Sequence, residues 1–265
     1  MRNLLLIGAL LYIAYYLLNW WLQRSNRATG LLMVAYRNGD YEGALRIIEG
    51  AKGKSLEESA YLYFRGAMLH HLGRLPEAQA SLRKGIPLEE HRQWKALAQG
   101  TPGAVLMDQE RYPEAIAVLE NSVKAWPDRG SSHRVIAELW LRQNRELGTA
   151  LDEARHALEI DRAARGLPQQ SLDSRVGEDL ATLAWAEAAN GASVAAVEGM
   201  LSEATPLCAR PAKAIQAQFH YHAGRAYQLL NLPEKSAEQF GWAAEIDPHG
   251  QYGRTAWSVE LGPAS

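Results

Sequence analysis

The sequence predicts an all-helical protein, a right-handed solenoid of stacked helical hairpins preceded by one transmembrane helix. Three observations carry that expectation. The chain opens with an uncharged apolar run from Leu4 to Leu22. Small residues suited to close helix contact recur with a fixed period, Ala44 and Ala78 standing 34 positions apart. Gln218 to Pro248 reads as two short amphipathic helices joined by a tight connection, and such a hairpin buries its apolar face only against neighbouring hairpins.

The 265 residues are 47% hydrophobic, enough for a sizeable core. With 28 basic and 30 acidic residues the net charge is −2, and no block of like charge stands out, which argues against nucleic acid or a polybasic membrane surface as partner. Cys208 is the single cysteine, so an intramolecular disulfide and a cysteine-built zinc site are both excluded.

Residues 1–24 are expected to be the membrane anchor. At ~1.5 Å per residue the run Leu4–Leu22 spans roughly 28 Å, close to the hydrocarbon thickness of a bilayer. Trp20 and Trp21 close it and Gln23 and Arg24 follow, the order of an aromatic belt and then headgroup-facing charge. A cleaved signal peptide is the rival reading, although no small-residue cleavage pair follows closely. Arg24, Arg27 and Arg37 precede the first acid, Asp40, and favour a cytoplasmic body, with a periplasmic one as the alternative. Gly8, Tyr12, Tyr15, Tyr16 and Asn19 share one stripe of this helix and are candidates for contact with another membrane helix.

Residues 25–250 are expected to form about six hairpins. Each second helix is marked by a small residue: Ala44, Ala78, Ala115, Ala150, Ala196 and Ser236. Gly66 precedes Ala78 by the same 12 positions that separate Gly224 from Ser236. Together with Tyr227, Phe240, Ala243 and Pro248, this pattern resembles the tetratricopeptide repeat. The third, fourth and fifth units depart from it. Thr101 is expected to cap a fresh helix with Pro102 at its first position, leaving 91–99 as a separate helical piece. Residues 162–177, rich in Gly, Pro, Gln and Ser, read as an irregular loop, and Thr205 to Pro211 as a lengthened connection. Residues 251–265 form a tail with no evident capping helix; either Trp257, Val259 and Leu261 fold back over the last helix or that face pairs with another chain, as in self-association.

No catalytic motif survives inspection. Gly53-Lys54-Ser55 lacks the earlier glycine and the strand of a phosphate-binding loop, and Ser81-Leu82-Arg83-Lys84 has only the bare spacing of a serine–lysine pair. The histidines of His70-His71 and His220-Tyr221-His222 fall on different helix faces, so no metal is expected, and no cofactor.

What the resemblance implies is recognition of proteins or peptide segments in a concave groove lined by the first helices. Carried onto this chain, it puts Tyr63, His70, His71, Trp185, Tyr221, Arg225 and Gln228 in that groove, with Gly66, Ala184 and Gly224 as the small residues they flank. The lysines and asparagines of the chaperone-binding subclass are missing. The expected function is therefore a non-enzymatic, membrane-anchored adaptor that gathers proteins, in membrane or envelope assembly. A secreted or periplasmic module after signal cleavage, and a regulatory subunit of a membrane enzyme, are the alternatives.

Overall fold

The computed structural model describes residues 30–52, 57–88, 92–210 and 212–261. The proposed anchor and its stripe Gly8, Tyr12, Tyr15, Tyr16 and Asn19 lie outside them. Among the described residues no helix is long and apolar enough to cross a membrane.

Residues 30–37 are helical (α1). There follow α2 (Tyr41–Ala51), α3 (Glu58–His71), α4 (Leu75–Gly85), a short 3₁₀ turn (Ile86–Leu88), α5 (Arg92–Asp108), α6 (Tyr112–Ala125), α7 (Gly130–Arg142) and α8 (Leu147–Ala163). The last five helices are α9 (Gln169–Ala189), α10 (Val194–Cys208), α11 (Lys213–Leu229), α12 (Pro233–Ile246) and α13 (Gln251–Leu261). The helices pair as six successive hairpins, α1/α2 to α11/α12, each packed on the next.

One device turns the chain inside every hairpin. After each first helix one residue takes a left-handed conformation: Gly39, Gly73, Glu110, Asn144, Gly191 and Asn231, with Glu146 a second such residue in the fourth hairpin. Each of the six first named donates its N–H to the carbonyl three residues back, and the next residue donates to the carbonyl five back, as Gly73 does to His70 and Arg74 to Leu69. These bonds satisfy carbonyls that the end of a helix leaves unpaired. Second helices then restart on local signals. The Asp40 carboxylate accepts from Gly43 N at 2.8 Å, and Pro76, Pro113 and Pro233 lie in first turns, where a missing N–H is harmless.

The small-residue contacts form at Ala44, Ala78, Ala115, Ala150 and Ser236, all buried. In the fifth hairpin the contact falls one residue later than the spacing predicts: Ala196 is exposed and Val197 is fully buried. The reason is the start of α10, where the Ser193 side chain accepts from Ala196 N and sets the helical phase. Gly224 passes so close to its partner helix that an added Cβ would lie 2.7 Å from the Phe240 ring. There glycine is a packing requirement.

Four further expectations are corrected. The stretch 162–177 is mostly helix: α8 runs to Ala163 and α9 starts at Gln169, so the extra residues lengthen two helices around a short link. Helix α5 continues through Pro102 without a fresh start, and Thr101 donates its hydroxyl to the Tyr63 oxygen at 3.4 Å instead of capping. Similarly, α10 continues through Thr205 and Pro206 to Cys208. The tail is helix α13 for most of its length and covers the end face against α12 and α11, with Ala256 fully buried. The chain's own α13 thus packs over α12, while Trp257 stays 58% exposed on it.

The apolar core lies in three clusters. The first gathers residues of α1 to α5 from Leu32 to Val105, a small one centres on Leu119 and Leu139, and the largest extends from Ala137 to Ala256 around Trp185 and Tyr221. The stack curls until its two ends meet, with the Tyr41 hydroxyl donating to Asp247 Oδ2 at 2.6 Å across 206 positions. First helices face the axis of this near-ring.

Candidate functional site

The axis carries a chain of polar groups to which successive helices contribute. His70 of α3 donates from Nε2 to Asp108 Oδ2 at the end of α5, at 2.8 Å. Asp108 Oδ1 accepts from Arg142 Nη1 of α7 at 2.8 Å and from Gln251 Nε2 of α13 at 3.1 Å. Arg142 also donates from Nε to Glu138 Oε1, one turn back, at 2.9 Å. Glu138 Oε2 accepts the Tyr252 hydroxyl at 2.9 Å and lies 3.5 Å from His222 Nε2, and His222 Nδ1 is 3.1 Å from Thr182 Oγ1 of α9.

Charges so deep need partners, because each loses most of its hydration. Burial works to raise the Glu138 carboxyl, yet Arg142, His222 and Tyr252 hold it well below the carboxylate range. Asp108 shows the same balance, with burial opposed by His70 and Arg142 and the net shift downward. Burial and the neighbouring Glu138 push the Tyr252 phenol well up, so it stays a hydroxyl donor.

A second polar cluster lies beside it. Arg134 of α7 donates to Glu178 Oε2 and Asp179 Oδ1 of α9, both at 2.7 Å, and Arg175 donates from Nε to Asp161 Oδ2 at 3.0 Å. Here three carboxylates face the guanidiniums of Arg134 and Arg175, with Arg129 close by. Burial, only partly offset by Arg134 and reinforced by Asp161 and Glu178, pushes Asp179 up to about 7. Asp179 Oδ2 has no hydrogen-bond partner among the described residues.

Between these polar groups and the N-terminal hairpins opens a cavity of ≈ 380 Å³. Its apolar lining includes Leu32, Met33, Phe64, Ala214 and Ile215; its polar lining includes Tyr63, Arg129, Ser131, Arg134, Gln218 and Gln251. Such a mixed funnel suits an amphipathic group: apolar area drives entry and fixed polar groups set orientation.

Two segments of the chain, residues 30–88 and 103–168, match the tetratricopeptide repeat family model. The match supports a tetratricopeptide-repeat protein. No curated protein matches the chain. Among solved structures, MamA (41-end) from Desulfovibrio magneticus RS-1 is 17% identical, with 84% of this chain and 95% of that chain covered and a TM-score of 0.42. YrrB, a tetratricopeptide-repeat protein with an unusual peptide-binding site, is 20% identical, with 80% and 96% covered and a TM-score of 0.36.

In this repeat protein the expected groove residues separate into three groups. Tyr63, His70 and His71 border the cavity, where Tyr63 packs edge-on to Phe64 and His71 stacks on Tyr41 with ring centroids 4.6 Å apart. Burial, with His70 and Arg254 nearby, lowers the His71 imidazole to about 3, so it stays neutral. Trp185 and Tyr221 are core residues, 1% and 3% exposed, with rings edge to face and Arg225 lying 5.3 Å over the indole. Gln228 is exposed near the end of α11, beside Asn231 and Pro233 and away from the cavity.

Trp185 is buried on the axial side of α9, against Tyr221, His222 and Arg225 of α11. Seven positions before each turn residue stand Leu32, Gly66, Gly103, Ala137, Ala184 and Gly224, all buried, so Ala184 keeps the place expected for it and the one-residue shift falls after the turn. Nothing local in the sequence marked Glu138, Asp108, Arg142, His222 or Tyr252 for the axial network.

Proposed function

We propose that this protein is a non-enzymatic scaffold that binds a protein or peptide segment at the axial cavity and is held at a membrane by residues 4–22. One observation carries the binding reading: the ≈ 380 Å³ cavity on the inner face of a repeat stack is lined by apolar and polar side chains together. An amphipathic helix or extended segment that buries one large apolar side chain there, with polar groups toward Gln218 and Ser131, fits that lining. Support for the membrane reading comes from the uncharged run Leu4–Leu22 and from α1, which keeps Leu31 and Val34 60% and 58% exposed. The arginines after the run favour a cytoplasmic body.

The test is crosslinking of the full chain in its membrane, with partners identified by mass spectrometry. Tyr63→Ala and Ile215→Asp are expected to remove the specific crosslinks while the melting temperature changes little. Crosslinks that survive both changes would overturn the cavity as the binding site. Extraction of the chain by carbonate would overturn the anchor, and protease accessibility in sealed vesicles reads the orientation.

A further inference from the structure

We infer that the two ends of the repeat stack form a polar latch, and that its opening controls access to the axial cavity. Successive hairpins are joined by apolar packing, but the seam between the first and last hairpins is built differently. Tyr41 at the start of α2 donates its hydroxyl to Asp247 after α12. Arg254 of α13 reaches back to donate to the backbone carbonyl of His71, lying over Gly73, where an added Cβ would sit 2.9 Å from its Nη2. Gln251 donates to Asp108.

Among the described residues no cluster of buried apolar side chains crosses this seam. The N-terminal cluster ends at Val105, the C-terminal one begins at Ala137, and none of α2, α3 or α4 packs along α11, α12 or α13. Opening therefore exchanges a few hydrogen bonds for water, each of modest net worth, and uncovers the edge aromatic Tyr41 while each apolar cluster stays whole. That is the physical condition for a hinge between otherwise rigid bodies.

The cavity lies against this seam. Leu32, Tyr36, His70 and His71 line one side of it, and Ala214, Gln218, Gln251 and Tyr252 the other. Separating the ends widens the funnel and frees the Gln251 amide, which lines it, from Asp108. An occupant that supplies a replacement acceptor for that amide, such as a backbone carbonyl beside an apolar group, would hold the stack open. This purpose rests on the binding reading above, whereas the latch itself is tested without a partner.

The experiment is a distance measurement between spin labels on cysteines placed at the exposed Arg46 of α2 and Glu245 of α12; the native Cys208 is 2% exposed and should not label. Three proteins are compared: the otherwise unchanged chain, the mild variant Tyr41→Phe, and Tyr41→Phe with Arg254→Gln. One narrow distance is expected in the first. A second, longer distance should appear in the variants and rise to a substantial fraction in the double one, with helical circular dichroism unchanged.

A separate lock checks the geometry. A Cβ built at Gly39 lies 3.8 Å from the Lys213 Cβ, the spacing of a disulfide, so Gly39→Cys with Lys213→Cys should crosslink in the closed state. Gly39 has φ +72, so the cysteine sits on strained backbone, and the readout is therefore bond formation rather than stability. In the double variant, with the lock disulfide formed first and the cysteines at 46 and 245 then labelled through reductant-stable thioethers, the lock should abolish the longer distance, and reductant should restore it. Identical distance distributions in all three proteins would overturn the latch. So would loss of helicity in step with the longer distance, because the seam would then be part of one cooperative core.

Discussion

Tyr252 and Glu138 meet at 2.9 Å although 114 positions separate them, and this bond ties the last helix into the axial network. It is a hydrogen bond to a buried charge, the stronger kind. Tyr252→Phe should cost about 1.5–3 kcal/mol in chemical denaturation, with fold and helicity retained. A loss below about 0.5 kcal/mol would mean that the carboxylate is satisfied by Arg142 and His222 alone.

Asp179 sets a pH dependence. Its folded-state value of about 7 lies above the ordinary carboxylate range, because burial and the adjacent acids outweigh Arg134. The folded protein then keeps a proton that the unfolded chain releases above about pH 4. Stability from this group is fully present below about pH 4 and is lost as pH rises through about 7. Asp179→Asn should flatten that decline, which is on the order of 2–4 kcal/mol between pH 4 and 8. Melting curves of both proteins across this range provide the check.

Two helical glycines should respond in opposite directions to alanine. At Gly224 a Cβ would meet the Phe240 ring at 2.7 Å, so Gly224→Ala forces a shift costing about 1–3 kcal/mol. Nothing lies within 4 Å of the same position at Gly199 in α10, and Gly199→Ala should stabilise by about 0.5–1 kcal/mol through helix propensity. Paired urea titrations compare them directly.

Glu110 is the expensive member of the set of turn residues. It holds φ 58 where its equivalents are Gly or Asn, residues that tolerate the left-handed region. Glu110→Gly is therefore expected to raise stability by roughly 1 kcal/mol, read as a higher denaturation midpoint with an unchanged slope.

These sites also show how far the sequence could be read. The close contacts at Ala44, Ala78, Ala115, Ala150 and Ser236 were legible because each depends on residues within one hairpin. The fifth contact was misplaced because Ser193 starts α10 one register away, a choice between neighbouring caps that spacing cannot make. The proline at 102 and the polar stretch 162–177 looked like breaks. Local propensity disfavours helix at both, and packing against neighbouring helices overrides it. Of the candidate groove residues, Tyr63, His70 and His71 reached the cavity, while Trp185 and Tyr221 became core because the stack curls inward around them.

By itself the sequence determined the helical class, the hairpin period and the apolar run at the N-terminus, all of which rest on interactions between residues near in the chain. Only the tertiary structure decided that the ends meet, that α13 covers the last hairpin and that Glu138, Arg142 and Asp108 share one buried network. Those facts depend on the curvature accumulated over six hairpins, which brings Tyr41 to Asp247 and His71 to Arg254. No local pattern encodes that sum, because small differences in packing at each hairpin contact add up along the stack.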